Sequence, residues 1–247
     1  SGVTSLADYQ DVLRSVTYRS TADDPTVNHT RTSRTVTWQV TDANSDSAGA
    51  ATSNTVTSTI ALTALPDVPV VAGLGTANFT ENGAAVALAG GLTVTDPDDS
   101  QLIGAVVSIS ANFRSGDTLH FTDQSGITGS YDGATGLLTL TGTATLADYQ
   151  TALRSITFSS TSDDPTANTT ATSRTLHWTV TDANSDAAGT QSSADKTSTL
   201  TVIPAQDSPL MTAGGTLNYT ENDAAAVIDA TVVVSADADD TQMAGAT

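Results

Sequence analysis

The sequence predicts an all-β protein made of tandem Greek-key β-sandwiches, each carrying one short helix. Three observations predict it. Short runs with alternating apolar positions recur between turn residues, the pattern of half-buried strands. Thr, Ser, Asp, Ala and Val dominate the 247 residues, a profile that suits short strands joined by polar turns. The chain also repeats itself, so both copies should fold alike.

The repeat sets the organisation. Leu6-Ala7-Asp8-Tyr9-Gln10 returns as Leu146-Ala147-Asp148-Tyr149-Gln150, and residues 6–46 match 146–186 at 29 of 41 positions. Phe79-Thr80-Glu81-Asn82 returns as Tyr219-Thr220-Glu221-Asn222. Asp96-Pro97-Asp98-Asp99 returns, after one inserted residue, as Asp237-Ala238-Asp239-Asp240. The Pro-rich segments 65–70 and 203–210 read as linkers. The division expected is the C-terminal part of a first repeat (1–66), a complete repeat (67–206) and the N-terminal strands of a third (207–247). Ser1-Gly2-Val3 reads as cut from a longer sequence, so the chain is expected to be a fragment of an array.

Within the complete repeat the expected strands are 76–80, 91–95, 102–109, 117–122, 127–131, 136–141, 154–159, 174–181 and 197–203. Ser115-Gly116-Asp117, Asp132-Gly133 and Thr135-Gly136 mark turns between them. In Leu176-His177-Trp178-Thr179-Val180, alternation sends Leu176, Trp178 and Val180 to one face. Trp178 and its copy Trp38 are therefore expected in the core. One helix interrupts the pattern over 146–156. Leu146, Tyr149, Leu153 and Ile156 form a single stripe at helical spacing. Thr145 with Asp148, and Ser5 with Asp8 in the other copy, give capping-box-like starts. The helix is expected to pack across one end of the sandwich.

Charge narrows the function. The net charge of −19 repels nucleic acid and anionic membranes. Cysteine is absent, which excludes disulfides, thiol nucleophiles and Cys-based zinc sites. No apolar run reaches the ~18 residues of a membrane span. The 27 acids include only two Glu, Glu81 and Glu221, leaving 25 Asp. Turn chemistry and oxygen-ligand metal sites both favour Asp in this way.

Asp96, Asp98 and Asp99 stand within four residues after an apolar strand. Alternate Asp side chains in a loop present oxygens to one point, as a hard cation with six to eight oxygen ligands requires. A solvated turn without an ion is the competing reading. Asp182-Ala183-Asn184-Ser185-Asp186 starts like an EF-hand loop but lacks the Gly at its sixth position and the Glu at its twelfth. For Asn184 and Asp186, a plain turn and a metal contact both stay open.

These segments carry a resemblance. Thr80-Glu81-Asn82, Asp96-Pro97-Asp98, Tyr131-Asp132-Gly133, Val180-Thr181-Asp182 and Asp207-Ser208-Pro209 resemble a cadherin-like, Ig-like domain. Such domains are strung in tandem through very large, type I-secreted (RTX) bacterial surface adhesins. The resemblance implies Ca2+ at the junctions between repeats. It implies one junction set of Glu81, Asp207, Asp237 and Asp239, and another of Asp67, Asp96, Asp98 and Asp182, with Asp99 beside it. Glu221 would serve a junction downstream, and Asp42, the copy of Asp182, one upstream. The Asp-Arg-Glu segment of animal cadherins is replaced by the helix at 146–156, which implies fewer ions per junction.

The function so implied is that of a non-catalytic extender repeat at the bacterial cell surface, stiffened by calcium. Its partners are neighbouring repeats, with head-to-tail self-assembly as a variant. The alternative is direct binding of a carbohydrate or protein by the repeats. His29, His120 and His177 have no His or Cys close by in sequence and are expected on strands or loops. Asp163-Asp164-Pro165 and its copy Asp23-Asp24-Pro25 read as turns. Asn28, Asn78, Asn168 and Asn218 head Asn-x-Thr sequons, which arise readily in a Thr-rich chain.

Overall fold

In a computed structural model, residues 4–235 and 242–247 are described. The first segment contains α1 (Leu6–Arg14), β1 (Ser33–Trp38) and β2 (Val56–Ala61), with β1 and β2 paired antiparallel. Ser5 caps α1 by a full capping box, its hydroxyl accepting from the Asp8 N–H at 3.2 Å.

The central repeat contains β3 (Val70–Ala72), β4 (Thr76–Thr80), β5 (Val86–Ala87), β6 (Thr93–Thr95), β7 (Gln101–Ala111) and β8 (Asp117–His120). It continues with β9 (Thr128–Asp132), β10 (Leu137–Thr145), α2 (Leu146–Arg154), β11 (Thr157–Ser160), β12 (Ser173–Asp182) and β13 (Lys196–Ile203). A six-stranded sheet runs β4-β13-β12-β7-β10-β9. Opposite it lie the sheets β5-β11-β8 and β3-β6. Beyond the second linker, β14 (Met211–Thr212) pairs with β15 (Val233–Val234). The protein is therefore all-β, a sandwich with short helices, as its alternating pattern predicts.

The core fills from both sheets. Every second residue of β12 is buried, Trp178 among them, and the Trp178 indole N–H donates to Ser198 Oγ at 2.9 Å. Phe79 and Phe158 meet edge to face at 5.2 Å. Full burial of each such side chain contributes roughly 1.5–3 kcal/mol. Helix α2 buries Tyr149, Ala152 and Leu153. It lies along β6, where Arg154 Nε donates to the Leu92 carbonyl at 2.7 Å. The Tyr149 hydroxyl donates to the Gly142 carbonyl at 2.6 Å. Gly142 sits at a bulge in β10 with φ of +128°, and a Cβ there would strike the Gly126 carbonyl.

Strand direction creates two poles. β12 runs antiparallel to both β7 and β13. The start of β7 and the end of β12 therefore share one pole, here the upper. β4 pairs parallel with β13, so both end at the lower pole. The nine steps of β12 from Ser173 to Asp182, at ~3.4 Å each, separate the poles by about 30 Å. The two linkers leave from opposite poles.

Candidate metal centre

At the upper pole, the chain leaves β6 through Asp96-Pro97-Asp98-Asp99. Asp96 Oδ1 accepts from the N–H groups of Asp98 and Asp99 at 3.2 and 3.1 Å. That turn directs Asp98 and Asp99 inward, where both are buried. Asp182 ends β12 fully buried and accepts from Asn184 N–H at 3.1 Å and Gln191 N–H at 2.7 Å. Asp99 accepts from the backbone and hydroxyl of Ser185, joining the two loops. One oxygen each from Asp96, Asp99 and Asp182 lies within 4.8 Å of the others.

Three further oxygens define the electrostatics. Asp96 Oδ2, Asp98 Oδ1 and Asp186 Oδ2 are buried and meet no hydrogen-bond donor. Burial, and then the facing Asp98 carboxylate, push Asp96 up to about 7 from an ordinary 3.8. Asp182 and Asp186 are also raised, by burial first and then by the carboxylates of Asp98 and Asp99. Two carboxylates ~4 Å apart repel by about 4 kcal/mol at an effective dielectric near 20. Orphaned carboxylate oxygens crowded in this way fit a hard cation, and an all-oxygen donor set selects the same class.

The linker enters this pole directly. The Asp67 N–H donates to Asp98 Oδ2 at 2.8 Å. Burial raises the Asp67 carboxyl, and so do the nearby charges of Asp23, Asp98 and Asp186. Asp23 belongs to the first segment, so acidic groups from both sides of the linker face this pole.

At the lower pole, Glu81 follows β4. Its N–H donates to the Ile203 carbonyl at 2.9 Å, and its Oε2 accepts from Ala205 N–H at 2.9 Å. The parallel pairing of β4 with β13 therefore sets a buried Glu beside the exit linker. Oxygens of Glu81, Asp163 and Asp207 lie within 4.8 Å of one another. Asp163 comes from the loop after β11. In that loop Asp164 is consumed by the turn, accepting from Thr166 N–H at 3.1 Å and Asn168 N–H at 2.8 Å. Ala167, Asn168 and Thr169 follow with φ of +53°, +51° and +64°, left-handed backbone that costs energy in residues with a Cβ. Arg174, buried with Asp117 at 2.6 Å, holds this loop by donating to the Pro165 carbonyl at 2.7 Å.

The structure thus groups Asp96, Asp98, Asp99 and Asp182, with Asp67, at one pole, and Glu81 with Asp207 at the other. Asp237 and Asp239 lie outside the described residues. Glu221 and Asp42 are exposed and join neither cluster among the described residues. Sequence reasoning did not choose Asp163 and left Asp186 undecided. The turn reading of Asp163-Asp164 holds for Asp164 alone. The doubled acid, repeated as Asp23-Asp24, was the signal that one of the pair stands outside the turn's hydrogen bonds.

No protein-family model matches the chain. Over 116 residues, 44% of the chain, it is 34% identical to halomucin of Haloquadratum walsbyi, and it spans about 1% of that protein's length. Among solved structures it is similar to protocadherin gammaB7 EC3-6, at 16% identity and a TM-score of 0.34. That match covers 74% of this chain and 36% of the other. Human CDH23 EC21-23 matches at 14% identity and a TM-score of 0.34, over 82% of this chain and 57% of the other. Among the described residues no helix is long and apolar enough to cross a membrane.

Proposed function

We propose that this chain is a non-catalytic extender of an extracellular surface adhesin or filament, and that calcium shared between successive repeats stiffens its joints. One observation carries the reading. Asp67 and Asp207 hold equivalent places in the repeat, yet Asp67 lies against the pole of the unit that follows it and Asp207 against the pole of the unit before it. Superposed, they describe one joint. Glu81, Asp163 and the linker Asp face it from below, and the Asp96–Asp99 turn with Asp182 faces it from above.

Bound calcium would supply positive charge and six to eight oxygen-ligand positions at the joint. The protein's own residues do the rest. The Asx turn at Asp96 and the strand end at Asp182 hold oxygens at fixed spacing. Asp98 ties the linker backbone, and Glu81 ties the exit strand. Short linkers between small polar interfaces pivot by default, and ligands drawn from both sides remove that freedom. By the repeat, Asp237 and Asp239 would complete the joint at Asp207. The same chemistry gives the ion dependence: extracellular modules bind calcium with Kd of about 0.1–1 mM.

At ~10 Kd of free ion one site adds roughly 1.4 kcal/mol to the folded state. The melting temperature is expected to rise by about 3–6 °C when calcium replaces chelator. An unchanged melting temperature across a millimolar calcium titration would remove the proposal.

A further inference from the structure

The fold explains the Asn-x-Thr sequons of one loop and leaves another unexplained. Asn168 sits in the left-handed region with φ of +51°, which Asn tolerates better than most residues. Its backbone N–H and its side-chain amide both donate to Asp164 Oδ2, at 2.8 and 3.3 Å. The Thr170 hydroxyl donates to the Ala167 carbonyl at 2.6 Å. Asn28 and Thr30, the copies of this pair, hold the same turn. Such a loop selects its Asn and its Thr for the turn itself.

Nothing of this kind accounts for Asn78. It stands in the middle of β4, and Asn is depleted in strands. Phe79 is buried, so Asn78 and Thr80 on either side of it point out of the sandwich, and both are exposed. Among the described residues neither the Asn78 amide nor the Thr80 hydroxyl has a hydrogen-bond partner. In the copy, Ala77 becomes Leu217 and Phe79 becomes Tyr219, while Asn218 and Thr220 keep their spacing and are exposed. Packing and hydrogen bonding ask for neither residue, whereas glycosyl transfer to a sequon requires both.

We propose that Asn78 is an attachment site for an N-linked glycan, with Asn218 its copy in the next repeat. The donor is an oligosaccharide carried on a phosphate leaving group and supplied by the exporting cell. The Asn78 amide nitrogen bonds to the anomeric carbon as the bond from that carbon to the phosphate oxygen breaks. The phosphate leaves with the electron pair, and the amide gives up one proton to solvent.

The position gives the glycan a task. β4 is an edge of the six-stranded sheet, and among the described residues it pairs only with β13. An open edge is a template for another chain, and proteins blunt it with Lys, Pro or charge. Thr76–Thr80 contains none of these. A bulky, hydrated glycan rooted at the midpoint of β4 covers that edge on the flank of the repeat. The proposal takes from the reading above only that the chain is extracellular.

The test weighs peptides. The protein is taken from the cells that display it and digested, and peptides carrying Asn78 are analysed by mass spectrometry. Asn78 is expected to bear sugar. The added mass should vanish in Asn78→Gln and Thr80→Ala and persist in Thr80→Ser, which keeps the hydroxyl. Both positions are exposed, so the variants should fold as wild type does. In sedimentation, Asn78→Gln should self-associate at concentrations where the glycosylated protein does not. A bare Asn78 in wild type overturns the site and leaves the calcium joint standing. Sugar retained on Asn78 in Thr80→Ala overturns the role of the sequon, and unchanged sedimentation of Asn78→Gln overturns the covering of the edge.

Discussion

Asp96 reports the state of the upper pole through its proton. The folded chain holds that proton up to about pH 7, whereas the unfolded chain releases it near 3.8. Between those values the folded state binds more protons, so stability falls as pH rises. The contribution is fully present below about pH 4 and is lost through pH 7. In chelator, wild type should therefore lose stability between about pH 4 and 7, and Asp96→Asn should lose less. Calcium should reverse the wild-type trend, because cation and proton compete for the same oxygens. Thermal melts at both pH values, with and without calcium, measure this. Identical pH slopes in wild type and variant would contradict the assignment. At this scale the gathering of acids was legible where they alternate after a strand, as in Asp96-Pro97-Asp98-Asp99. It was opaque at Asp163 and Asp186, because a turn-forming Asp and one that joins an acidic cluster look alike until their acceptor bonds are known.

The elements were easier to read than the side chains. Alternation along 174–181 and 197–203 anticipates β12 and β13 within a residue at each end. The stripe from Leu146 anticipates α2, whose spacing follows from packing on one side. β3 and β5 were not anticipated, being only three and two residues long and held by pairing with distant strands. The buried pair Arg174–Asp117 was also illegible, since its partners stand 57 residues apart. It locks β8, β12 and the Asp163 loop together. Arg174→Met leaves Asp117 buried without its cation and should cost about 3–5 kcal/mol in urea unfolding. It should also weaken the calcium binding proposed at Glu81, Asp163 and Asp207 by freeing the Pro165 carbonyl. A loss below about 1 kcal/mol would show that the pair does not hold the lower pole.

Across the whole molecule, the same sequence motif occupies two different environments. Tyr149, Leu153, Ile156, Trp178 and Val180 are buried in the central repeat. Their copies Tyr9, Leu13, Val16, Trp38 and Val40 line an open groove of about 570 Å³, and Leu6 beside them is 91% exposed. The strands that cover this face in the central repeat have no counterpart against the first segment among the described residues.

The most direct test of a cation shared across the linker is a distance measurement across it. The chain has no Cys, so Thr57→Cys and Ser130→Cys, both at exposed positions, can carry spin labels on either side of Asp67. Pulsed dipolar spectroscopy should give a broad distance distribution in chelator and a single narrow one in calcium. Adding Asp67→Asn and Asp98→Asn should restore the breadth. A distribution equally narrow, or equally broad, in both conditions would contradict the account.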